Sequence, residues 1–241
     1  MRRLRAVPTE SMLHMEFSNP VYQLINVARL QHLDSLGLDL SNKTIIEFGA
    51  GVGDHTLFYL YKNCKVLPIE GRPDLAHVLS QRLGLETKVI DLEKDIERVG
   101  EISGYFDIAH CYGILYHLAE PEAFLAAASK TADLMLLETC VSDRAEKPGI
   151  NRVPEVRQQK SQSMSGTGCR PDRAWIFREL NKHYRFVYMP TTQPKHRQFP
   201  TDWTNLRTEP DQLVRSVFVA SQHKLDSKRL TEKIVTHYAP W

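Results

Sequence analysis

Three glycines at alternate positions, Gly49, Gly51 and Gly53, lie between two acids, Glu47 and Asp54, in "TIIEFGAGVGDHT" (44–56). A run of β-formers precedes them and a helix-like segment follows. Glycine lets a backbone approach a ligand closely and permits positive φ, and a helix start presents free N–H groups. A strand, a glycine turn and a helix together make the nucleotide-binding corner of α/β sheets. The dinucleotide fingerprint G-x-G-x-x-G/A would need a small third residue where Asp54 stands, which counts against a dehydrogenase. Carboxylates around the turn suit a ligand with a cationic end, such as an amino acid or a sulfonium. Glu70 closes the next β-run, 23 residues after Glu47, where an acid suits a ribose diol. Asp91 follows a third β-run and suits an exocyclic adenine amine, with Glu93 and Asp95 as neighbouring alternatives.

The elements that must position these acids alternate along the chain. Residues 20–37 read as an N-terminal helix with Val21, Leu24, Ile25, Ala28, Leu30 and Leu33 on one face. Strands are expected at 43–49, 64–70, 86–92, 104–113 and 133–141. Helices are expected after the glycine turn, over 72–84 and after residue 119. The βαβα order argues for a parallel sheet covered on both faces. Residues 143–172 lose the pattern and read as a loop or lid. A helix at 170–184 and strands at 185–190 and 214–222 follow, the last two expected as an antiparallel pair. The expected fold is therefore α/β: a seven-stranded, mostly parallel sheet with helices on both faces and an antiparallel C-terminal hairpin. We expect a single domain over 1–241, with a helical segment (1–40), a ligand-binding core (41–142), the loop (143–172) and the C-terminal half of the sheet (173–241).

Over residues 41–142 the sequence resembles the class I S-adenosylmethionine-dependent methyltransferases. The resemblance rests on "IIEFGAGVGDHT", "VLPIEGRPD", "VIDLE" and "FDIAHCYGILYHLAEPEAFL". The last of these is similar to the "LYHL-x-x-P" version found in small-molecule and glycan methyltransferases and, in related form, in an RNA wobble-uridine modifying branch. It implies a Rossmann-like methyltransferase fold with S-adenosyl-L-methionine as cofactor. It also implies that Glu47, Gly49, Ala50, Gly51 and Gly53 hold the methionine part, Glu70 and Gly71 the ribose, and Asp91 and Leu92 the adenine. Cys111, Tyr112 and Gly113, at the end of the fourth strand, are implied to line the same pocket.

Methyl transfer from a sulfonium needs donor and acceptor in line, and a hydroxyl acceptor gains from a general base. His117 in "CYGILYHL" has the suitable titration range; it acts as that base, or it packs against the cofactor or the core. His196, in a proline-flanked loop, is a second catalytic candidate. Arg152, Arg157, Arg170, Arg173, Trp175, Arg197 and Trp203 lie in the segments expected to cover the acceptor, where Trp and Arg suit sugars, rings or phosphates. A small molecule or a sugar or glycan hydroxyl is the expected substrate. A tRNA wobble-uridine type RNA methyltransferase and a non-catalytic cofactor-binding partner are the alternatives.

The bulk composition narrows the field. Residues 1–142 hold 13 basic and 19 acidic residues and residues 143–241 hold 18 and 10, so net charges of −6 and +8 make up the total of +2. A basic C-terminal half suits an anionic substrate or is simply a solvated surface. Four scattered cysteines without a CxxC fit neither a zinc site nor a disulfide framework, so no metal is expected and a cytoplasmic setting is. No membrane span and no signal peptide are expected, and the oligomeric state is left open.

Overall fold

The structure, a computed structural model, describes residues 17–142, 148–206 and 212–240. Helix α1 (Pro20–Ser35) starts at Asn19, whose side chain accepts from the Tyr22 N–H, and has proline in its first turn. Strand β1 (Thr44–Phe48) then leads through the glycine turn into α2 (Asp54–Leu60). Next come β2 (Lys65–Glu70), α3 (Pro73–Leu83), β3 (Lys88–Val89), β4 (Phe106–Tyr112), α4 (Pro121–Ala128) and β5 (Ala132–Val141). The rest comprises β6 (Arg152–Pro154), β7 (Thr167–Cys169), α5 (Arg173–Asn181), β8 (Phe186–Pro190), β9 (Val214–Ser221) and β10 (Leu230–Thr231).

The main sheet runs β10-β8-β9-β5-β4-β1-β2-β3. Strands β1 to β5 are mutually parallel; β9 is antiparallel to both β5 and β8. The fold is the expected mixed α/β sheet with an antiparallel end. It differs in having an eighth strand, β10, which pairs with β8 through Leu230–Pro190 and Thr231–Met189. Two residues of edge pairing carry too little periodicity to stand out in a sequence. The expected loop at 143–172 contains a two-stranded ribbon, β6 with β7.

Alternation along the strands divides the core between the two faces of the sheet. Ile46, Phe48, Ala109, Cys111, Met135 and Leu137 belong to one cluster, whereas Ile45, Ile108, Tyr112, Leu136 and Val217 belong to the other. Helix α1 covers the second face with Ile25 and Leu33. Its expected apolar face is rotated: Val21 and Leu24 are 58% and 64% exposed, and Asn26, Arg29 and His32 are buried in their place. No helix among the described residues is long and apolar enough to cross a membrane.

Candidate active site

The strand order reverses between β1 and β4, and ligands of open α/β sheets bind at the carboxyl ends of strands beside such a reversal. The glycine turn follows β1 there, and Gly113 follows β4. A cavity opens at this point, and concave places of this kind at the switch point of an α/β sheet are where small-molecule sites form. It is lined by Glu47, Gly49, Ala50, Gly51, Glu70, Gly71, Asp91, Leu92, Tyr112, Gly113 and His117, and by Asn26, Arg29, Tyr116 and residues 160–164.

The three glycines have separate reasons. All have positive φ (72°, 57° and 87°), which L side chains adopt only at a cost. A Cβ at Gly49 would lie 2.9 Å from Ile114, and one at Gly53 would lie 2.7 Å from Leu83 on α3. These two allow close packing behind the turn. At Gly51 an added Cβ meets only the Phe17 ring at 3.5 Å, and Gly51 lines the cavity. Gly53 is absent from the lining, so its place is structural. Asp54, in the position that a dinucleotide site keeps small, pairs with Arg82 at 2.6 Å.

Glu70 binds the turn directly: Oε2 accepts the Gly51 N–H at 2.8 Å and Oε1 accepts the Arg72 N–H at 2.8 Å. Burial nevertheless raises its pKa. Glu47 accepts the Thr56 hydroxyl at 2.6 Å, and burial pushes it up to about 8. No lysine or arginine among the described residues pairs with Glu47, so the turn holds an acid awaiting a cation. Asp91 and Glu93 both line the cavity, whereas Asp95 faces Arg98 at 3.9 Å. An S-adenosylmethionine-like ligand fits this donor set: bared backbone, a buried acid without a cation, and two further strand-end acids.

Behind Glu47 lies a chain of neutral rings. Glu47, His55 and His110 bring ligand atoms within 4.8 Å of one another. Every imidazole nitrogen is already engaged, however. His55 Nε2 lies 3.2 Å from Asn26 Oδ1, His55 Nδ1 lies 3.1 Å from His110 Nε2, and His110 Nδ1 lies 2.8 Å from the Tyr59 hydroxyl. Burial lowers both histidines, His55 to about 3, so both are neutral. One assignment satisfies all partners: Tyr59 donates to His110, His110 to His55, and His55 to Asn26. This relay fixes Asn26, which also accepts from Arg29 Nη1 at 3.0 Å.

His117 stands in a single 3₁₀ turn, Leu115–His117, just past β4. Its Nδ1 lies 2.5 Å from Glu155 Oε2. Because a carboxylate accepts, Nδ1 carries the proton and Nε2 keeps its lone pair. Burial holds His117 below the ordinary histidine range, opposed by the Glu155 hydrogen bond. Glu155 is itself held by Arg170 and the Ser163 N–H. Burial works against its ionisation, but the His117 hydrogen bond and these neighbours prevail and keep it below the usual carboxylate range. Glu155 follows β6, and the β6–β7 ribbon delivers it. Gly168 on β7 permits the approach, since a Cβ there would lie 2.5 Å from the Tyr116 carbonyl and 2.7 Å from Glu155.

Besides Gly53, two expected site residues lie outside the lining. Cys111 is fully buried in the core cluster opposite Tyr112 and is not among the residues lining the cavity, because alternation sends consecutive strand residues to opposite faces. His196 also lies outside the lining; burial first, and then the nearby charge of Arg215, lower its pKa. Of the Arg and Trp candidates, Arg170 reaches the His117 partner. Arg173 instead stacks on Trp203 at 3.6 Å and Arg152 pairs with Glu120. Residues that sequence reasoning missed are Asn26, Arg29, Glu138, Glu155 and Arg215. Charged residues inside "DLMLLETCV" and "VRSVFVAS", and polar ones on the buried face of α1, were the available signals; Glu155 had none.

No family model matches the chain. A stretch of 123 residues, 48% of this chain, is 28% identical to an uncharacterised protein of Synechococcus sp. and spans 30% of that relative's length. Among solved structures, the N-terminal domain of EvdMO1, determined in the presence of S-adenosylhomocysteine and D-fucose, is similar with a TM-score of 0.59 at 20% identity, over 82% of each chain. The 1,6-didemethyltoxoflavin-N1-methyltransferase of Burkholderia thailandensis, with S-adenosylhomocysteine bound, gives 0.53 at 16% identity over 93% of this chain and 94% of its own. The magnesium protoporphyrin IX methyltransferase of Synechocystis PCC 6803 gives 0.53 at 15% identity, over 85% and 88%. What this chain shares with them is the Rossmann-like methyltransferase fold.

Proposed function

We propose that the chain is an S-adenosylmethionine-dependent methyltransferase acting on a hydroxyl of a small molecule, sugar or glycan. One observation carries the reading. The acid-flanked glycine turn and a carboxylate-held histidine, His117, line the same cavity. The resemblance of "CYGILYHLAEPEAFL" to the small-molecule and glycan branch supports it, as does the likeness in fold to a domain solved with S-adenosylhomocysteine and D-fucose.

When bound, the cofactor supplies a methyl already activated on a sulfonium. The protein's part is then alignment and proton management. Glu47 would hold the cationic end, and Gly51, having no side chain, would let it approach the turn. Glu70, fixed by the Gly51 and Arg72 N–H groups, would offer its remaining lone pairs to a ribose diol, and Asp91 and Glu93 would hold the base. His117 Nε2 takes the proton of the acceptor hydroxyl, and Glu155 stabilises the imidazolium that results. The segment 160–164 forms one wall of the cavity.

Calorimetric titration with S-adenosylhomocysteine, with NAD in parallel, tests the cofactor. Micromolar binding of the first and not the second is expected. Preference for NAD, or no binding of S-adenosylhomocysteine, would overturn the reading. Labelled methyl transfer to a panel of hydroxy acceptors then tests the reaction.

A further inference from the structure

Three buried charges meet above the ends of β4, β5 and β9, on the side of the cavity away from β2 and β3. Arg29 Nη2 lies 2.7 Å from Glu138 Oε2, and Arg215 Nη1 lies 3.0 Å from Glu138 Oε1. All three residues are at most 5% exposed. Two guanidiniums on one carboxylate leave a net positive charge where solvent does not reach, and a buried charge is costly unless paired. Arg215 finds further partners in Gln198 Oε1 at 2.7 Å and the Tyr116 hydroxyl at 3.2 Å. Arg29 has one, Asn26 Oδ1 at 3.0 Å, but its Nε is buried without a hydrogen-bond partner, and so is the Tyr112 hydroxyl. Both residues line the cavity. The Arg29 guanidinium also sits against Gly113, 3.6 Å from where a Cβ would stand.

Resting on the methyltransferase reading above, we propose that Arg29, backed by Glu138, Arg215 and Tyr112, anchors an anionic oxygen group of the methyl acceptor, so that the substrate is a hydroxy compound bearing a carboxylate or phosphate. The charge is built over β4, β5 and β9, whereas the acids assigned to the cofactor, Glu47, Glu70 and Asp91, lie at or just past the ends of β1, β2 and β3. That division assigns the charge to the acceptor rather than to the methionine carboxylate. The Tyr59–His110–His55–Asn26 relay holds Arg29 in place through Nη1 and leaves Nε for the ligand.

The test is calorimetry on protein saturated with S-adenosylhomocysteine, at constant ionic strength. Glucuronate and glucose 6-phosphate are the anionic probes and methyl glucoside is the neutral one. Saturable binding of at least one anion and none of the glucoside is expected. Arg29→Gln should weaken that binding about tenfold or more, and Arg29→Lys should retain most of it. Both variants should bind S-adenosylhomocysteine within about threefold of the parent. Arg29→Gln leaves Glu138 paired one to one with Arg215, so folding is expected. Should that variant fail to fold, the anion-over-neutral selectivity of the parent and the Lys variant decide. Binding of neither anion, or equal binding of the glucoside, overturns the proposal. So does a tenfold loss of S-adenosylhomocysteine affinity in Arg29→Gln, which would assign the charge to the cofactor's own carboxylate. Failure of the parent to bind S-adenosylhomocysteine at all sinks the methyltransferase reading, and this inference with it.

Discussion

Glu47 and His117 carry the two proton equilibria of the proposed chemistry. Burial places Glu47 at about 8, so at neutral pH it is mostly protonated in the free protein. A cationic ligand beside it favours the ionised form and lowers that pKa. Binding at pH 7 should therefore release a proton, and affinity should rise with pH until it levels off near 8. Calorimetry of S-adenosylhomocysteine in buffers of differing ionisation heat measures this release, and Glu47→Gln should abolish it. For His117 the sign runs the other way: its lowered pKa keeps the base form present at neutral pH. Methyl transfer should fall only when acidity passes below the ordinary histidine range. His117→Ala should reduce kcat about 10²–10⁴-fold with S-adenosylhomocysteine affinity unchanged. A variant with full kcat would remove His117 from the mechanism.

At the scale of elements, the loop that joins β6 to β7, residues 155–166, supplies one wall of the cavity. Arg72 Nη2 donates to the carbonyls of Arg157, Gln159 and Gln162 at 3.3, 3.2 and 3.0 Å. Lys160 pairs with Asp74. Arg72→Ala should release this segment, seen as faster proteolytic cleavage within 155–166 while sheet circular dichroism is unchanged. Gly168→Ala is the harsher change, because the new Cβ meets the Tyr116 backbone carbonyl, which cannot rotate away. Overpacking of this kind costs about 1–3 kcal/mol, and here the displaced neighbour is Glu155. The expected outcome is a lower kcat with S-adenosylhomocysteine binding nearly retained.

The whole molecule is closed by its C-terminal segment. Ser227 Oγ donates to the Leu36 carbonyl at 2.7 Å, Thr191 N–H to Arg229 at 2.8 Å, and Trp203 N–H to Thr236 at 2.8 Å. Arg173 donates to the Val235 carbonyl at 2.6 Å while stacking on Trp203. These contacts join the end of α1, the β8 edge and α5, none of which borders the glycine turn. A chain ending at residue 222 should melt earlier, by about 2–4 °C for each kcal/mol lost, yet still bind S-adenosylhomocysteine. Loss of binding with an unchanged melting temperature would show that the segment serves the site rather than the fold.

The sequence by itself determined what depends on neighbours along the chain. Strand and helix order followed from periodicity, and the glycine turn, Glu70, Asp91, Tyr112 and Gly113 fell at successive strand ends that a parallel sheet must bring to one edge. His117 was legible for the same reason, lying just past β4. Its partner was not, because Glu155 arrives from a ribbon 38 residues away in a stretch without periodicity. Cys111 was misplaced because a motif names consecutive residues, whereas a strand turns them to opposite faces. Only the tertiary structure decided the rotation of α1, since Val21 and Leu24 fit an apolar stripe as well as the residues that are buried. It also decided the meeting of Arg29, Glu138 and Arg215, which come from a helix and two antiparallel strands. The physical reason is that periodicity reports which face a residue shares with its neighbours in the chain. The pairing of β5 with β9, and the angle at which α1 lies on the sheet, are set by long-range packing that no local pattern records.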